Sequence, residues 1–135
     1  MTADTHPSEI QCSTPMGTLA LRTWCMPEDT NPAGDIFGGW LMGRMETACA
    51  LTARQIVKGR TATVAVNGME FHKPVYVGDV LCCYTKVERI GNTSITIKVE
   101  AWVTRDAHGE HLKVTEGVFT FVALNEKGKP RKIEK

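Results

Sequence analysis

An α+β fold, with one helix packed against an antiparallel sheet, is the architecture that this sequence predicts. Three observations lead to it. A single uninterrupted helical segment covers residues 38–57, one extended segment precedes it, and four extended segments rich in valine, isoleucine and threonine follow it. The length of 135 residues suits one compact domain and leaves little room for a second.

The N-terminal part of the chain predicts an arm, a strand and a loop. Residues 1–15 are polar, contain two prolines and predict a loosely held arm. Residues 19–25 (LALRTWC) are mostly apolar and fit a strand. Residues 26–35 contain two more prolines, a glycine and several turn-forming side chains, and they predict a loop.

The segment from Gly38 to Val57 predicts the long helix. It contains no proline, and apolar residues recur in it at helical spacing. Ala50, Leu51 and Ala53 extend the apolar surface around more of the cylinder, and a helix that is apolar on most sides is normally buried. The residues at helical spacing are Leu41, Met45, Ala48, Cys49, Thr52 and Ile56.

Four strands are predicted after the helix, at residues 61–71, 80–90, 93–104 and 112–124. The third alternates so that residues 95, 97, 99, 101 and 103 form an apolar face, and its other face is expected to meet water or a partner. Residues 80–84 are apolar on both sides, which predicts at least a dimer. The domain is therefore expected to span residues 16–125, with a basic C-terminal tail at 126–135.

Composition excludes several classes of protein. A net charge of +1 argues against a dedicated nucleic-acid-binding protein. No stretch of roughly 20 mostly apolar residues is present, so no membrane helix is predicted. The N-terminus does not resemble a secretory signal, and five cysteines without a CxxC pair predict reduced thiols and a cytoplasmic location. The four histidines do not have metal-ligand spacing, so no metal site is expected.

The junction of the loop and the helix is the first candidate for chemistry. Gly38 and Gly39 begin the helix, where unpaired amide N–H groups carry partial positive charge and glycine allows another molecule to come close. Two such donors can stabilise a developing oxyanion. Asp35, just upstream, could act on water as a general base or attack a carbonyl itself. The alternative is that Asp35 caps the helix and the glycines serve packing.

The helix and the basic residues provide further candidates. Glu46 follows Gly39 by about two turns on a helix that is otherwise expected to be buried. An acid there is costly unless it is paired or functional, so it is either a reactive group or part of a structural contact. Several basic side chains could bind phosphate groups or could simply be solvated, namely Arg60, Lys73, Lys127, Lys129, Arg131 and Lys132.

Taken together, these segments resemble the hot-dog-fold acyl-CoA thioesterases, in particular the bacterial broad-specificity acyl-CoA hydrolases. The resemblance rests on residues 31–42 (NPAGDIFGGWLM) followed by Met45-Glu46. Residues 69–81 (MEFHKPVYVGDVL), 91–97 (GNTSITI) and 128–131 (GKPR) also fit, in the same order. The resemblance covers roughly residues 17–131, and the combination is far more specific than any one segment.

The resemblance implies a hot-dog fold, with a long central helix wrapped by an antiparallel sheet of about five strands. It implies homodimers, often three in a hexamer, with acyl-CoA as substrate, no cofactor and an active site at the dimer interface. By position, Asp35 resembles the catalytic carboxylate, the amides near Gly39 and Trp40 resemble the oxyanion donors, and Glu46 resembles a second acid. The expected substrate- and CoA-binding residues are Asn31, Gly38, Arg60, Lys73, Thr93, Ser94, Lys129 and Arg131.

Two other functions fit the same residues. A hot-dog enoyl-CoA hydratase or dehydratase would use a histidine near this loop, and residues 26–40 contain none. A non-catalytic acyl-CoA-binding module would bind the same ligand without hydrolysing it, and the presence of Asp35 argues against it. Acyl-CoA hydrolysis is therefore the function that the sequence predicts.

Overall fold

The structure is a computed structural model that describes residues 14–106 and 109–134. Its order of elements is β1 (Thr18–Trp24), α1 (Gly38–Val57), β2 (Thr61–Phe71), β3 (Val80–Ile90), β4 (Ser94–Arg105) and β5 (Glu110–Ala123), with a short 3-10 helix between β1 and α1. The α+β prediction is confirmed, and every predicted element is found at its expected place. Most of the predicted N-terminal arm, residues 1–13, lies outside the described residues. Within these ranges, no helix is long and apolar enough to cross a membrane.

The five strands form one antiparallel sheet in the order β1-β3-β4-β5-β2. β3, β4 and β5 follow one another as hairpin neighbours, whereas β2 pairs with β5 at one edge and β1 pairs with β3 at the other. The pairing of β2 with β5 shifts register between Asn67 and Glu70, where Gly68 takes a positive φ of 59°. This bulge bends the end of β2, and it sets the direction of the residues that follow Phe71.

The helix lies across one face of the sheet and contacts all five strands. Its buried side chains are Leu41, Met45, Ala48, Cys49, Ala53 and Val57. The expectation that the helix is buried nearly all round is wrong for the single chain, because Leu51 is 47% exposed and Glu46 and Arg54 are also exposed. The physical reason is that a sheet covers only one side of a cylinder. The far side of α1 has no cover from residues 14–106 or 109–134.

The structure confirms the predicted apolar face of β4 and contradicts the prediction for its outer face. Ile95, Ile97, Val99, Ala101 and Val103 are fully buried against the helix. On the opposite face, which was expected to be wet or bound to a partner, Glu100 and Trp102 are also buried, at 7% and 1% exposure. The Trp102 indole Nε1 donates to Glu100 Oε1 at 2.9 Å, and the His111 ring stacks on the indole at 4.9 Å. This half of the outer face is therefore covered by the chain itself.

The C-terminal segment packs onto the domain. Ile133 is 2% exposed and belongs to the core, and its amide donates to the Asn92 carbonyl at 2.8 Å. The Arg131 guanidinium donates to the carbonyls of Val57, Leu124 and Lys132. Val57 is the last residue of α1, so Arg131 satisfies a carbonyl that the helix leaves without a partner and places a cation at its negative end.

Replacing Arg131 by alanine is expected to lower the free energy of unfolding by about 1–2 kcal/mol, because a buried helix-end carbonyl loses its donor. Urea unfolding measured beside wild type tests this. Lys129→Ala is the matched control, since Lys129 is exposed in the same segment. Equal stability of the Arg131 variant and the control would contradict the capping role.

Candidate active site

The loop before the helix is closed by Asn31. Its side-chain Oδ1 accepts hydrogen bonds from the amides of Ala33, at 2.9 Å, and Asp35, at 3.1 Å. The Asn31 backbone amide donates to the Asp35 backbone carbonyl at 2.7 Å. Gly34 completes the turn with a φ of 93°, which glycine adopts without strain. Asn31 therefore holds Asp35 in place, and the Asp35 side chain makes no hydrogen bond within the described residues.

The start of α1 leaves two amides free. The helix N-cap is Phe37, and no side chain caps it, so the alternative that Asp35 acts as a helix cap is wrong. The amides of Trp40 and Leu41 both donate to the Phe37 carbonyl, at 3.1 and 3.2 Å. The amides of Gly38 and Gly39 have no acceptor in the described part of the chain. Gly39 thus fits the expected oxyanion donor, while the Trp40 amide is already used within the helix.

A cavity of about 280 Å³ opens at this junction. It brings together four of the residues expected from the sequence, Asn31, Asp35, Gly38 and Lys73, although Lys73 is far away in the chain. The cavity therefore joins a carboxylate, a free helix-start amide and a cation. Its remaining lining is Ile36, Leu41, Phe71, His72, Pro74 and Val75.

An ion pair between the buried Asp79 and the partly exposed Arg105 supports one wall of the cavity. Asp79 is 3% exposed and accepts from Arg105 Nε at 3.0 Å and from an Arg105 terminal nitrogen at 2.8 Å. Asp79 also accepts from the Tyr76 amide, and Arg105 donates to the Pro74 carbonyl. The hydrogen bond to Asp79 raises the pKa of Arg105. These contacts fix residues 74–79, whose Val75 carbonyl accepts from Ile36 at the base of the loop.

His72 is a cavity residue that sequence reasoning missed. Its Nε2 lies 3.4 Å from Glu116 Oε2, and Lys113 Nζ lies 2.7 Å from Glu116 Oε1. The hydrogen bond from Lys113 lowers the pKa of Glu116. Glu70, His72 and Glu116 have ligand atoms within 4.8 Å of one another, and Lys113 pairs with both Glu116 and Glu100. Only the pairing of β2 with β5 brings these residues together, so spacing in the chain gave no signal.

Glu46 lies on the uncovered side of the helix. It is exposed, so the expected cost of burying it does not arise. Thr63 Oγ1 on β2 donates to Glu46 Oε2 at 2.7 Å, which orients the carboxylate. The two residues line a second cavity of about 370 Å³ that also contains Arg60. This cavity is separate from the one that contains Asp35.

The other expected CoA-binding residues gather at the far end of α1. Arg60 and Arg131 line a third cavity, of about 1030 Å³. Thr93 is nearby, since its carbonyl accepts from Ala123, and Ser94 follows it at the start of β4. Lys129 is exposed in the adjacent turn. A helix of 20 residues is about 30 Å long, so within one chain the predicted residues lie in two groups at opposite ends.

Comparison with known proteins identifies the class. Residues 33–109 match the family model of the thioesterase superfamily, and the chain belongs to that family. The acyl-CoA thioester hydrolase YciA of Salmonella typhimurium is 51% identical over 122 residues, which cover 88% of this chain and 92% of the relative. The hexameric hot-dog-fold thioesterase Cj0915 of Campylobacter jejuni superposes with a TM-score of 0.83 at 39% identity, over 87% and 91% of the two chains. Within the superfamily, this chain is a hot-dog protein of the acyl-CoA thioester hydrolase group.

Solved structures of an acyl-CoA hydrolase from Staphylococcus aureus provide a further comparison. They are 27–28% identical, with TM-scores of 0.77–0.79, and cover 84% of this chain and 68–70% of that one. In three of them alanine replaces an asparagine, an aspartate and a threonine, one in each structure. The aspartate is 15 residues after the asparagine, and the threonine is 17 residues after the aspartate. Asn31, Glu46 and Thr63 have the same two separations in this sequence.

Proposed function

We propose that this protein hydrolyses acyl-CoA thioesters to a free acid and CoA. The observation that carries the proposal is the cavity at the helix start, which contains Asp35 and the free Gly38 amide. The free Gly39 amide is the next donor along the helix. A thioester carbonyl directed at these amides would gain stabilisation as negative charge develops on its oxygen. Membership of the acyl-CoA thioester hydrolase group supports acyl-CoA as the substrate class.

The site we propose needs two protomers. Within the described residues β2 is an edge strand with one unpaired side, and Val64 and Val66 on it are 57% and 39% exposed. Long edge strands with exposed apolar side chains pair readily with another chain. An antiparallel pairing of two β2 strands about Val66 would place Thr63 of one copy opposite Met69 of the other. The Glu46–Thr63 pair of one protomer would then adjoin the helix-start cavity of its partner.

Two carboxylates compete for the role of activating water. Asp35 is the expectation from the sequence, and it lies in the cavity beside Gly38. Two observations favour Glu46: Thr63 orients its carboxylate, and the Asn31, Glu46 and Thr63 separations match those of the altered residues in the S. aureus hydrolase. We therefore assign the water-activating role to Glu46, with Asp35 as the competing assignment.

The proposed reaction uses water and the thioester alone, without a cofactor or a metal. The carboxylate takes a proton from water as the water oxygen bonds to the carbonyl carbon. The oxyanion forms at the Gly38 and Gly39 amides, then collapses as the carbon–sulfur bond breaks. The departing CoA thiolate receives the proton. Lys73 of one protomer and Arg60 of the other would flank the same site and would suit CoA phosphates.

Two further expectations extend this proposal. A homodimer, with three dimers forming a hexamer, is the assembly we propose, and the hexameric assembly of the Campylobacter thioesterase supports it. We also propose a cytoplasmic location. The described cysteines, at positions 25, 49, 82 and 83, are all unpaired, as expected for a reducing compartment.

A thiol-release assay over acyl-CoAs from acetyl to palmitoyl tests the function. Burial raises the pKa of the Cys25 and Cys83 thiols to about 12, so these protein thiols should contribute little background to a thiol reagent. We expect turnover with at least part of the panel. Tight acyl-CoA binding without thiol release would instead identify a binding module. Hydration of crotonyl-CoA without thiol release would identify a hydratase, for which His72 in the cavity would be the available base.

A further inference from the structure

One large apolar side chain of the helix-start cavity is much more exposed than the others. Ile36, Leu41 and Val75 are at most 5% exposed and form a rigid apolar floor. Phe71 lines the same cavity but is 50% exposed, at the last position of the edge strand β2. A large ring that is half out of the core can be displaced at lower cost than a fully buried one.

The Phe71 ring lies directly against the start of the helix. A Cβ placed on Gly38 would come within 3.4 Å of the ring Cε1 and 3.5 Å of Cζ. The ring therefore occupies the space next to the free Gly38 amide. Anything that reaches this amide from the β2 side meets the ring first.

The neighbours of Phe71 on β2 and β5 include one flexible side chain. Met69, two residues before Phe71, lies over Gly117, where an added Cβ would come within 2.8 Å of the Met69 methyl carbon. Methionine is unbranched and fits many shapes. Thr115, paired with Phe71 across the sheet, is fully buried, and its hydroxyl has no hydrogen-bond partner within the described residues. Of these residues only Phe71 lines the cavity, and Met69, Thr115 and Gly117 are its neighbours on β2 and β5.

We infer that Phe71, backed by Met69, is the side chain that selects the size of the acyl group. The inference rests on the proposed acyl-CoA substrate. The apolar floor offers no polar partner, which suits a saturated chain and not a hydroxylated one. The ring occupies the part of the cavity next to the Gly38 amide, at the end of β2. Acyl groups that extend past this amide toward β2 fit only when the ring turns away, and the flexible Met69, two residues earlier on the strand, is the neighbour best able to adjust.

Phe71→Ala is expected to raise the ratio of kcat/KM for octanoyl-CoA over butyryl-CoA at least tenfold. Each additional buried methylene group is worth about fourfold in binding, so four further carbons readily supply such a change. Met69→Ala should change the ratio in the same direction by less. Phe71→Leu gives a second variant that keeps more apolar volume at the strand end. Val77→Ala is the control, since Val77 is 45% exposed but does not line the cavity.

The affinities for butyryl-CoA and octanoyl-CoA are measured by calorimetry in addition to the turnover kinetics. A tenfold rise in the octanoyl-to-butyryl ratio, in kcat/KM or in affinity, with the control unchanged, supports the assignment. A ratio within threefold of wild type in folded Phe71→Ala and Phe71→Leu overturns it. Failure of wild type to release CoA would refute the proposed hydrolysis alone, because the binding ratios still decide whether Phe71 selects the acyl group.

Discussion

Glu46→Gln is expected to lower kcat for acyl-CoA hydrolysis by about 10²–10⁴, the usual scale for loss of a positioned base. Glutamine keeps the length of the side chain, and its carbonyl can still accept from Thr63, but it cannot take a proton from water. Because Glu46 is exposed in the single chain, the substitution should leave the fold unchanged. Steady-state kinetics measure kcat, and a circular-dichroism melt measures whether the fold is unchanged. Glu88→Gln, at an exposed acid on β3, is the control.

Asp35→Asn, measured in parallel, decides between the two carboxylates. If it abolishes turnover while Glu46→Gln stays within threefold of wild type, the assignment from the sequence is correct and ours is wrong.

Thr63 should act as a positioning residue for Glu46. Thr63→Val is expected to lower kcat about tenfold, the scale of one hydrogen bond, and Thr63→Ser should restore most of it.

Mixed oligomers test whether the site is shared between protomers. Asn31→Ala and Glu46→Gln chains are each expected to be inactive alone. If each site takes Asn31 from one chain and Glu46 from the other, a dimer that combines the two variants has one site with both substitutions and one site with neither. Random co-assembly should therefore recover about a quarter of wild-type activity, because half of the dimers are mixed and half of their sites are intact. No recovery from a verified mixed dimer would place the site within one chain.

Arg105→Ala is expected to lower the free energy of unfolding by about 2 kcal/mol, between the values for an exposed and a fully buried ion pair, because the Arg105 side chain is 25% exposed and that of Asp79 4%. Among the described residues, the loss leaves the Asp79 carboxylate with the Tyr76 backbone amide as its one donor, and the cation over the Tyr76 ring at 4.7 Å is lost as well. Residues 74–79 should loosen with it, so KM should rise. Urea unfolding and kinetics measure both effects.

Two further variants make this prediction specific. Arg89→Ala removes an exposed arginine and should change stability by less than about 0.5 kcal/mol. The double variant Asp79→Asn/Arg105→Ala removes both charges and should recover about half of the loss, because no uncompensated charge then remains buried. Additive losses in the double variant would show that packing, and not the charge pair, is responsible.

The sequence alone determined the order and bounds of the elements. Helical spacing over residues 38–57 and period-two alternation in 93–104 depend only on neighbours along the chain, so the pattern is readable without the fold. The loop of Asn31 and Asp35 and the glycines at the helix start were found for the same reason. The family was also accessible, because its signature segments appear in order along the chain.

Tertiary structure decided which of these residues meet. The pairing of β2 with β5 brings His72 beside Glu116 and turns it toward the Asp35 cavity, across a separation that no local pattern encodes. The sheet covers one side of α1 and leaves Glu46 exposed, where a helical pattern alone suggested burial. The Trp40 amide forms a hydrogen bond at the start of α1, and the Arg131 guanidinium forms one at its end. Periodicity shows which residues are apolar together, but only the register and edges of the sheet determine what each one faces.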